Sequence, residues 1–158
     1  MNRNREAIFR PIGVIHTPFR EKAPFHGFEE AEGEFCVELF PEFTEGLYRL
    51  DSFSHCWIIF WIDRPEKKPS MRVHPPRGNG LEAGLFATRS PHRPNSIGLT
   101  LVKILRIKEN KIYTSGMDIL DQTPLLDIKP YIPDKEAIAD AAHGWIPRDQ
   151  ASSSDFPG

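Results

Sequence analysis

Short apolar stretches separated by polar turn residues recur along this chain, and residues 34–39 alternate polar and apolar, a pattern typical of a β-strand with one buried face. The most apolar stretch, residues 55–62 (HCWIIFWI), predicts a central buried strand, because isoleucine and aromatic side chains favour buried sheet positions. Residues 97–107 and 112–115, on either side of a polar turn, predict a hairpin. Three further strands are predicted at residues 9–16, 34–39 and 125–128.

Helical signals are few and short. Residues 46–54 predict one helical turn, and residues 134–142, which follow Pro133, predict the one longer helix. Many short strands separated by turn residues, together with fifteen prolines in 158 residues, indicate an all-β fold, a small closed β-barrel with short helical insertions. We expect one barrel domain over residues 8–147 and a disordered tail over residues 148–158.

The composition, 39% hydrophobic and 27% charged, is that of a globular protein in water. No apolar run approaches the roughly 18 residues of a membrane span, and the first residues lack the apolar centre of a signal peptide. The two cysteines, Cys36 and Cys56, show no CxxC pattern and therefore predict neither a zinc site nor a disulfide framework. We expect a cytoplasmic protein with reduced thiols, no metal and no membrane partner.

Charge is unevenly distributed, although the formal net charge is only −2. Residues 21–45 hold eight acidic residues and one lysine, whereas residues 64–93 hold seven Arg or Lys and two glutamates, a net charge of +5. The basic part is compatible with a nucleic-acid partner, because neutralisation of phosphates dominates that kind of binding. Charge blocks also serve simply to solvate a surface, so this interpretation stays open.

The motif with the clearest chemistry is GLFATRSPHRPNSIG, at residues 84–98. Residues 85–87 fit a short strand, and the prolines at 91 and 94 exclude a helix after it, since proline lacks an N–H and favours extended geometry in its predecessor. We call residues 88–96 the arginine loop; it presents Arg89, His92, Arg93 and Asn95. Cations in a stiff loop bind phosphates, carboxylates or base edges. The alternative is a solvated turn whose arginines pair with surface acids.

Other ligand-binding motifs fail on spacing. The glycines of residues 78–84 lack the spacing, the preceding strand and the following helix of a dinucleotide fingerprint, so we expect a non-Rossmann fold. Asp118, Asp121 and Asp127 do not have the spacing of a calcium loop, and Asp121 is best explained as a turn former. Asp118 and Asp127 flank predicted strands, where a carboxylate accepts from a sugar hydroxyl or pairs with an arginine. The residues therefore predict a small barrel with an Arg/Asp site for a polar ligand.

Four segments resemble the TsaA-like family of TrmO-type tRNA (adenine-N6)-methyltransferases: PIGVIHTPF at 11–19, LDSFSHCWIIFW at 50–61, GLFATRSPHRPN at 84–95 and LDQTPLLDIKPYIP at 120–133. The resemblance implies a small β-barrel that binds S-adenosyl-L-methionine outside any Rossmann sheet, with the cofactor near a homodimer interface. It also implies methylation of N6 of threonylcarbamoyl-adenosine, next to the anticodon of a tRNA.

The resemblance further implies the site residues. Cofactor contacts are expected at positions spread along the chain: Pro24, Phe25, His26, Asp63, Arg64, Arg89, Leu99, Ser115, Gly116, Met117 and Asp118. Arg89 would bind the carboxylate of the cofactor. The target nitrogen must lose a proton, for which Asp118 is the preferred acceptor and His92 the alternative. Arg93 and Asn95 would contact the modified base.

The expected contacts to tRNA phosphates are four basic residues: Lys67, Lys68, Arg72 and Arg77. Bacterial members of the family carry a further C-terminal domain, whereas this chain has only a short segment after Pro133, so we expect the barrel dimer to hold the tRNA. Two alternatives stay open: a methyltransferase of the same fold with another small-molecule or RNA acceptor, and a non-catalytic RNA-binding barrel. The latter lacks an aromatic stacking platform, because the aromatic residues of 55–62 are predicted to be buried.

Overall fold

The computed structural model of the protein describes residues 5–24 and 32–147. Its strands are β1 (Gly13–His16), β2 (Cys36–Leu39), β3 (His55–Trp61), β4 (Arg72–Val73), β5 (Ala83–Gly84), β6 (Ile97–Lys108), β7 (Lys111–Thr114) and β8 (Thr123–Pro130). Within the described residues, six of them close into a barrel in the order β1-β2-β7-β6-β3-β8, every neighbouring pair antiparallel. Strands β4 and β5 form a separate small hairpin. The predicted all-β fold is confirmed.

The barrel interior is filled by the alternate residues of its strands. Side chains from every wall strand meet there with almost no exposure, among them Ile15, Val37, Ile58, Val102, Ile112 and Leu125. Gly98 on β6 lets the Phe60 ring lie directly over its backbone, since a Cβ at residue 98 would stand 2.2 Å from that ring. The alternation read from the sequence therefore sorts residues between the barrel interior and its outer surface.

Strand β3 lies between β6 and β8 in the closed barrel, where no strand is central, and only one of its faces is buried. Its register pairs Trp61 with Ile97 on β6 and Phe60 with Leu125 on β8. Cys56 and Ile58 point into the core, whereas Trp61 at the end of the strand is 47% exposed. The expectation of a fully buried strand was wrong because a barrel wall has an outer face, which an apolar run alone does not reveal.

Short helical segments lie in the connections. They are 3₁₀ turns at Pro41–Leu47, Leu50–Ser52, Pro76–Gly78 and Leu85–Ala87, and a single α-helical turn, α1, at Pro133–Glu136. The strand predicted at residues 85–87 is thus a 3₁₀ turn. The Leu85 N–H still extends the pairing of β4 with β5 by donating to the Met71 carbonyl, but the Leu85 carbonyl accepts from the N–H and the hydroxyl of Thr88, which closes the turn.

The helix predicted at residues 134–142 stops after one turn. Residues 137–142 are exposed, and Ile138 among them is 68% exposed. A short helix without a buried face is marginal in water, which explains why the propensity of this alanine-rich segment is not realised. The bounds of the predicted domain, 8–147, stay a prediction, and the predicted tail, 148–158, lies outside the described residues.

Three connections leave the barrel at the same end. Loop 1 (residues 17–35) joins β1 to β2, loop 2 (62–96) joins β3 to β6, and loop 3 (115–122) joins β7 to β8. The register places the strand ends side by side, with His16 opposite Cys36, Ile15 opposite Thr123 and Trp61 opposite Ile97. Segments far apart in sequence therefore meet at one rim of the barrel.

Candidate functional site

The predicted site residues lie in or beside the three loops of this rim. Loop 1 contains Pro24, loop 2 contains Asp63, Arg64 and the arginine loop, and loop 3 contains residues 115–118. Pro24 is half-buried, and the predicted contacts Phe25 and His26 lie outside the described residues. The antiparallel closure of the barrel, not their order in the chain, brings these segments together.

Asp121 ties loop 3 to loop 1. Its Oδ1 accepts a hydrogen bond from the Thr17 N–H at 3.1 Å, and its own N–H donates to the Phe19 carbonyl at 2.6 Å. The Thr17 hydroxyl donates to the carbonyl of Ile119 at 2.7 Å, and Thr17 is buried. The carboxylate that the sequence assigned to a local turn therefore bonds a partner more than one hundred residues away.

Arg64 ties loop 2 to loop 3. Its Nη2 donates to the carbonyl of Asp121 at 2.8 Å and to the Thr123 hydroxyl at 3.2 Å, and its Nε lies 3.2 Å from Asp63 Oδ1. Because a planar guanidinium holds several acceptors in a fixed arrangement, Arg64 orders the junction of these loops. Its predicted role in cofactor contact is joined by a structural one.

The arginine loop divides its cations between two roles. Arg93 Nη1 donates to the carbonyls of Thr88 and Ser90, at 3.0 and 3.4 Å, so Arg93 braces the loop from within. Arg89 is exposed and leaves its guanidinium accessible to a ligand. His92 Nδ1 is buried and has no hydrogen-bond partner among the described residues. The end of the loop is tied to β3 by the Ile62 N–H, which donates to the carbonyl of Ser96.

Loop 3 contributes more backbone than side chain to the rim. Met117 is fully buried in the barrel core, so any contact that it makes with a ligand comes from its backbone. The Ser115 hydroxyl accepts from the Lys103 N–H at 3.0 Å and extends the pairing of β7 with β6. Gly116 is half-buried and Asp118 exposed, which leaves the Asp118 carboxylate on the surface of the loop.

Two predicted residues, Asn95 and Leu99, lie where β6 begins. Asn95 is exposed, and its carbonyl accepts from the Ile97 N–H at 2.7 Å. Leu99 points outward from β6 with half of its side chain exposed. Asn95 thus lies near the end of loop 2, and Leu99 is the third residue of β6, on the outer face of the barrel wall.

The predicted tRNA contacts all belong to loop 2 and are exposed. Arg72, on β4, pairs with Glu82, which neutralises part of its charge. Lys67 and Lys68 precede the small hairpin, and Arg77 lies in the 3₁₀ turn between its two strands, β4 and β5. The basic residues thus form a fringe on loop 2 rather than a strip along the barrel wall.

A polar cluster that the sequence did not reveal lies on the outer wall beside loop 1. His16 Nε2 is 2.8 Å from Glu38 Oε2, and Lys111 Nζ is 3.5 Å from the same oxygen. The hydrogen bond from His16, with the Lys111 ammonium, holds the pKa of Glu38 below its usual range, and Glu38 in turn raises the pKa of Lys111. A cavity of about 290 Å³ opens next to this cluster. The residues come from three strands, so no local motif announces them.

Cys36 and Cys56 are buried thiols without a disulfide. Burial raises the pKa of each to about 11, against a partial opposing effect of Lys111 on Cys36. Neither has the low pKa of a nucleophilic cysteine.

Among residues 5–24 and 32–147, no group of three acidic, histidine or cysteine side chains is arranged to hold a metal ion. No helix within the same described residues is long and apolar enough to cross a bilayer.

The rim offers an accessible guanidinium, several carboxylates and an apolar strand surface. This set suits an organic ligand that carries a carboxylate, hydroxyl groups and a flat ring.

Comparison with known proteins finds relatives over most of the chain. The family model of the tRNA-methyltransferase O N-terminal domain matches residues 14–137 of the sequence. An S-adenosyl-L-methionine-binding protein of Archaeoglobus fulgidus is 38% identical over 134 residues, which cover 83% of this chain and 94% of that protein. The tRNA (adenine(37)-N6)-methyltransferase of Mus musculus is 46% identical over 137 residues, 82% of this chain but 32% of the mouse protein.

Solved structures agree with these matches. The crystal structure of TrmO from Pseudomonas aeruginosa superposes with a TM-score of 0.71 at 35% identity, over 89% of this chain and 62% of the other. The matched span includes all three loops of the rim. The chain therefore belongs to the family of the tRNA-methyltransferase O N-terminal domain.

Proposed function

We propose that this protein is an S-adenosyl-L-methionine-dependent methyltransferase acting on tRNA, and that its acceptor is N6 of threonylcarbamoyl-adenosine beside the anticodon. The observation that carries the proposal is the junction around Asp121, where Arg64, one of the predicted cofactor contacts, joins loop 2 to loop 3 and loop 3 is bonded to loop 1. Family membership and relatives named for S-adenosyl-L-methionine binding and tRNA methylation support it.

The charged and apolar side chains at the rim fit this cofactor. Its carboxylate needs a cation, which Arg89 offers on an exposed loop, and its ammonium and ribose hydroxyls need acceptors, which Asp63 and Asp118 provide. Its adenine needs an apolar surface, for which Leu99 is placed on the outer face of β6. When bound, the cofactor supplies an electrophilic methyl group on a positively charged sulfur.

The task of the chain's own residues is positioning and proton removal. The acceptor nitrogen belongs to a urea-like group whose lone pair is delocalised, so its proton has to leave to a base. Asp118 suits this role, because its carboxylate lies on the exposed surface of loop 3. His92 suits it less well, since its Nδ1 is buried and a substrate cannot reach that atom without movement of the arginine loop.

Substrate recognition is assigned to the arginine loop and to loop 2. Arg93 and Asn95 are the proposed contacts to the modified base, with Arg93 held in place by its bonds to Thr88 and Ser90.

Lys67 and Lys68 are the proposed phosphate contacts. In a Lys67→Gln/Lys68→Gln double variant, the slope of the logarithm of the tRNA binding constant against the logarithm of the salt concentration should become shallower by roughly 1.4 to 1.8. An unchanged slope would return both lysines to the role of solvating charges. Arg72 and Arg77 complete this proposed fringe.

We also propose that two copies pack through an apolar strip on the outer wall. Neighbouring residues of β3 and β6, Trp61 with Ile97 and Ile59 with Leu99, form it, and Leu101 extends it. Apolar side chains exposed side by side mark an interface. Leu99 belongs to both the strip and the proposed cofactor contacts, so a partner copy would border the cofactor. Sedimentation of the wild type and of Leu101→Lys tests this: we expect a dimeric wild type and a monomeric variant. A wild type that is monomeric, or a variant that stays dimeric, argues against the strip.

A cytoplasmic location accords with a tRNA substrate.

The decisive experiment supplies S-adenosyl-L-methionine with a labelled methyl group to the full chain. One tRNA carries threonylcarbamoyl-adenosine, and the control is the same tRNA transcript without the modification. We expect label only in the modified tRNA. Label in neither, with tRNA still bound, favours a non-catalytic RNA-binding barrel, and label in another acceptor from a small-molecule or RNA panel favours a methyltransferase of different specificity.

A further inference from the structure

Phe86 is an exposed aromatic residue directly before the arginine loop. Its side chain is 74% exposed, whereas its neighbour Leu85 is buried at 1%. The 3₁₀ turn Leu85–Ala87 thus uses one apolar side chain as an anchor and directs the next one into water. A single exposed ring is common on protein surfaces, so its backbone and its neighbours decide what it can do.

The turn that carries Phe86 is held on several sides. The Leu85 N–H donates to the Met71 carbonyl at 2.9 Å, and the Thr88 hydroxyl donates to the Leu85 carbonyl at 2.7 Å. Trp145 Nε1 donates to the Ala87 carbonyl at 2.9 Å. Because the backbone is fixed in advance, binding to this ring costs little conformational entropy.

Arg93 completes the arrangement. Its guanidinium carbon lies 5.7 Å from the centre of the Phe86 ring, and its bonds to the Thr88 and Ser90 carbonyls keep it there. An aromatic ring beside a cation is the combination that stacks unpaired nucleobases and attracts their phosphates. Residues 64–93, the segment that contains Phe86, carry a net charge of +5. This charge disfavours a basic protein as the binding partner and favours RNA.

We propose that Phe86, backed by Arg93, is a stacking platform for an unpaired nucleobase of the RNA substrate. The proposal rests on the proposed function for its RNA partner. It replaces the expectation of a barrel without a stacking platform, which considered only the aromatic residues of 55–62. It adds a contact that reads the face of a base and requires no particular sequence, since every base has a π-face.

The test measures stacking without cofactor and without methyl transfer. A short anticodon stem-loop RNA with 2-aminopurine at one unpaired position after another is titrated with the full chain, because stacking quenches that fluorophore. Phe86→Leu should weaken binding roughly 5- to 100-fold and abolish the quenching, and Phe86→Trp should restore both. Tyr48→Leu is the matched control: Tyr48 is 80% exposed beside Arg49, 5.4 Å away, in the connection at the opposite end of the barrel.

Several results would overturn the platform. They are equal affinity of Phe86→Leu and the wild type, an equal loss in Tyr48→Leu, the absence of RNA binding by the wild type, or a change of oligomeric state in Phe86→Leu, which would make Phe86 a contact between copies. The proposed function fails separately: a wild type that quenches the probe through Phe86 but transfers no methyl group keeps the platform and refutes the methyltransferase.

Discussion

Replacing Asp121 with alanine tests the junction on which the candidate site depends. The substitution removes the Oδ1 acceptor of the Thr17 N–H but leaves both backbone bonds of residue 121, to Phe19 and Arg64, in place. Thr17 is buried, so its N–H can regain a partner only in part, through water that enters at the exposed edge of residue 121. Loop 1 should therefore loosen against loop 3 without a change in the barrel core.

The size of the effect follows from these contacts. An unpaired buried donor costs about 1–3 kcal/mol, and the lower part of that range applies here because the Asp121 side chain is 23% exposed and water can take its place in part. We expect a loss of about 1–2 kcal/mol in the free energy of unfolding. For a chain of this size that corresponds to a fall in Tm of roughly 2–8 °C.

Urea unfolding and calorimetric titration with S-adenosyl-L-methionine measure the two consequences. Asp121→Ala should lose stability and, because the rim is no longer ordered, bind the cofactor more weakly. Asp121→Asn keeps an acceptor oxygen at the same place and should stay close to the wild type in stability. Full stability in Asp121→Ala, or an equal loss in both variants, would refute the role of the Thr17 bond.

Three other predictions test the ligand cation, the packing and the acid limit. Arg89→Ala should weaken cofactor binding in calorimetry about ten- to a hundredfold at unchanged Tm, because an exposed guanidinium that binds a carboxylate supports no part of the fold. Gly98→Ala should cost about 1–3 kcal/mol in urea unfolding, since its Cβ would overlap the neighbouring ring, whereas Gly46→Ala, with open space around it, should not. Glu38→Gln should be less stable than the wild type at neutral pH, and this difference should shrink as pH falls below 4.5, because a carboxylate with a lowered pKa stabilises the fold only while it is ionised.

Each of these has a contrary result. Unchanged cofactor affinity in Arg89→Ala would remove that residue from the site, and equal stability of Gly98→Ala and Gly46→Ala would mean that the ring yields without cost. A stability difference for Glu38→Gln that persists unchanged through acid would show that the bond to His16 does not depend on the charge of the carboxylate.

Strands β3 and β6 were predictable almost residue by residue. An apolar run and a polar turn are properties of adjacent positions, and the observed bounds, His55–Trp61 and Ile97–Lys108, differ from the predicted ones by one residue at most. Residues 85–87 and 134–142 were not predictable in the same way. The Leu85 carbonyl, which accepts from the N–H and the hydroxyl of Thr88, selects a turn there, and the exposed segment after Glu136 gains no packing that would extend the helix.

The site shows the same division. Arg89 stands out in the sequence because prolines stiffen its loop; the structure shows it exposed, and its role as a ligand cation stays a prediction. Asp121 was predicted as a turn former and does lie in a turn, but the bond of its carboxylate to Thr17 is invisible in a linear pattern. Phe86 looked like part of a strand, and only its surroundings show that the ring faces water beside Arg93.

By itself, then, the sequence determined the all-β class, most of the strands, the stiff cationic loop and the family, because each of these follows from neighbouring residues or from motifs in order. The tertiary structure decided which loops meet, which carboxylate joins them and which aromatic ring is left in water. Those outcomes depend on the closure of the barrel, which sets strand ends from distant parts of the chain side by side, and hydrogen bonds across such distances leave no periodic trace in the sequence.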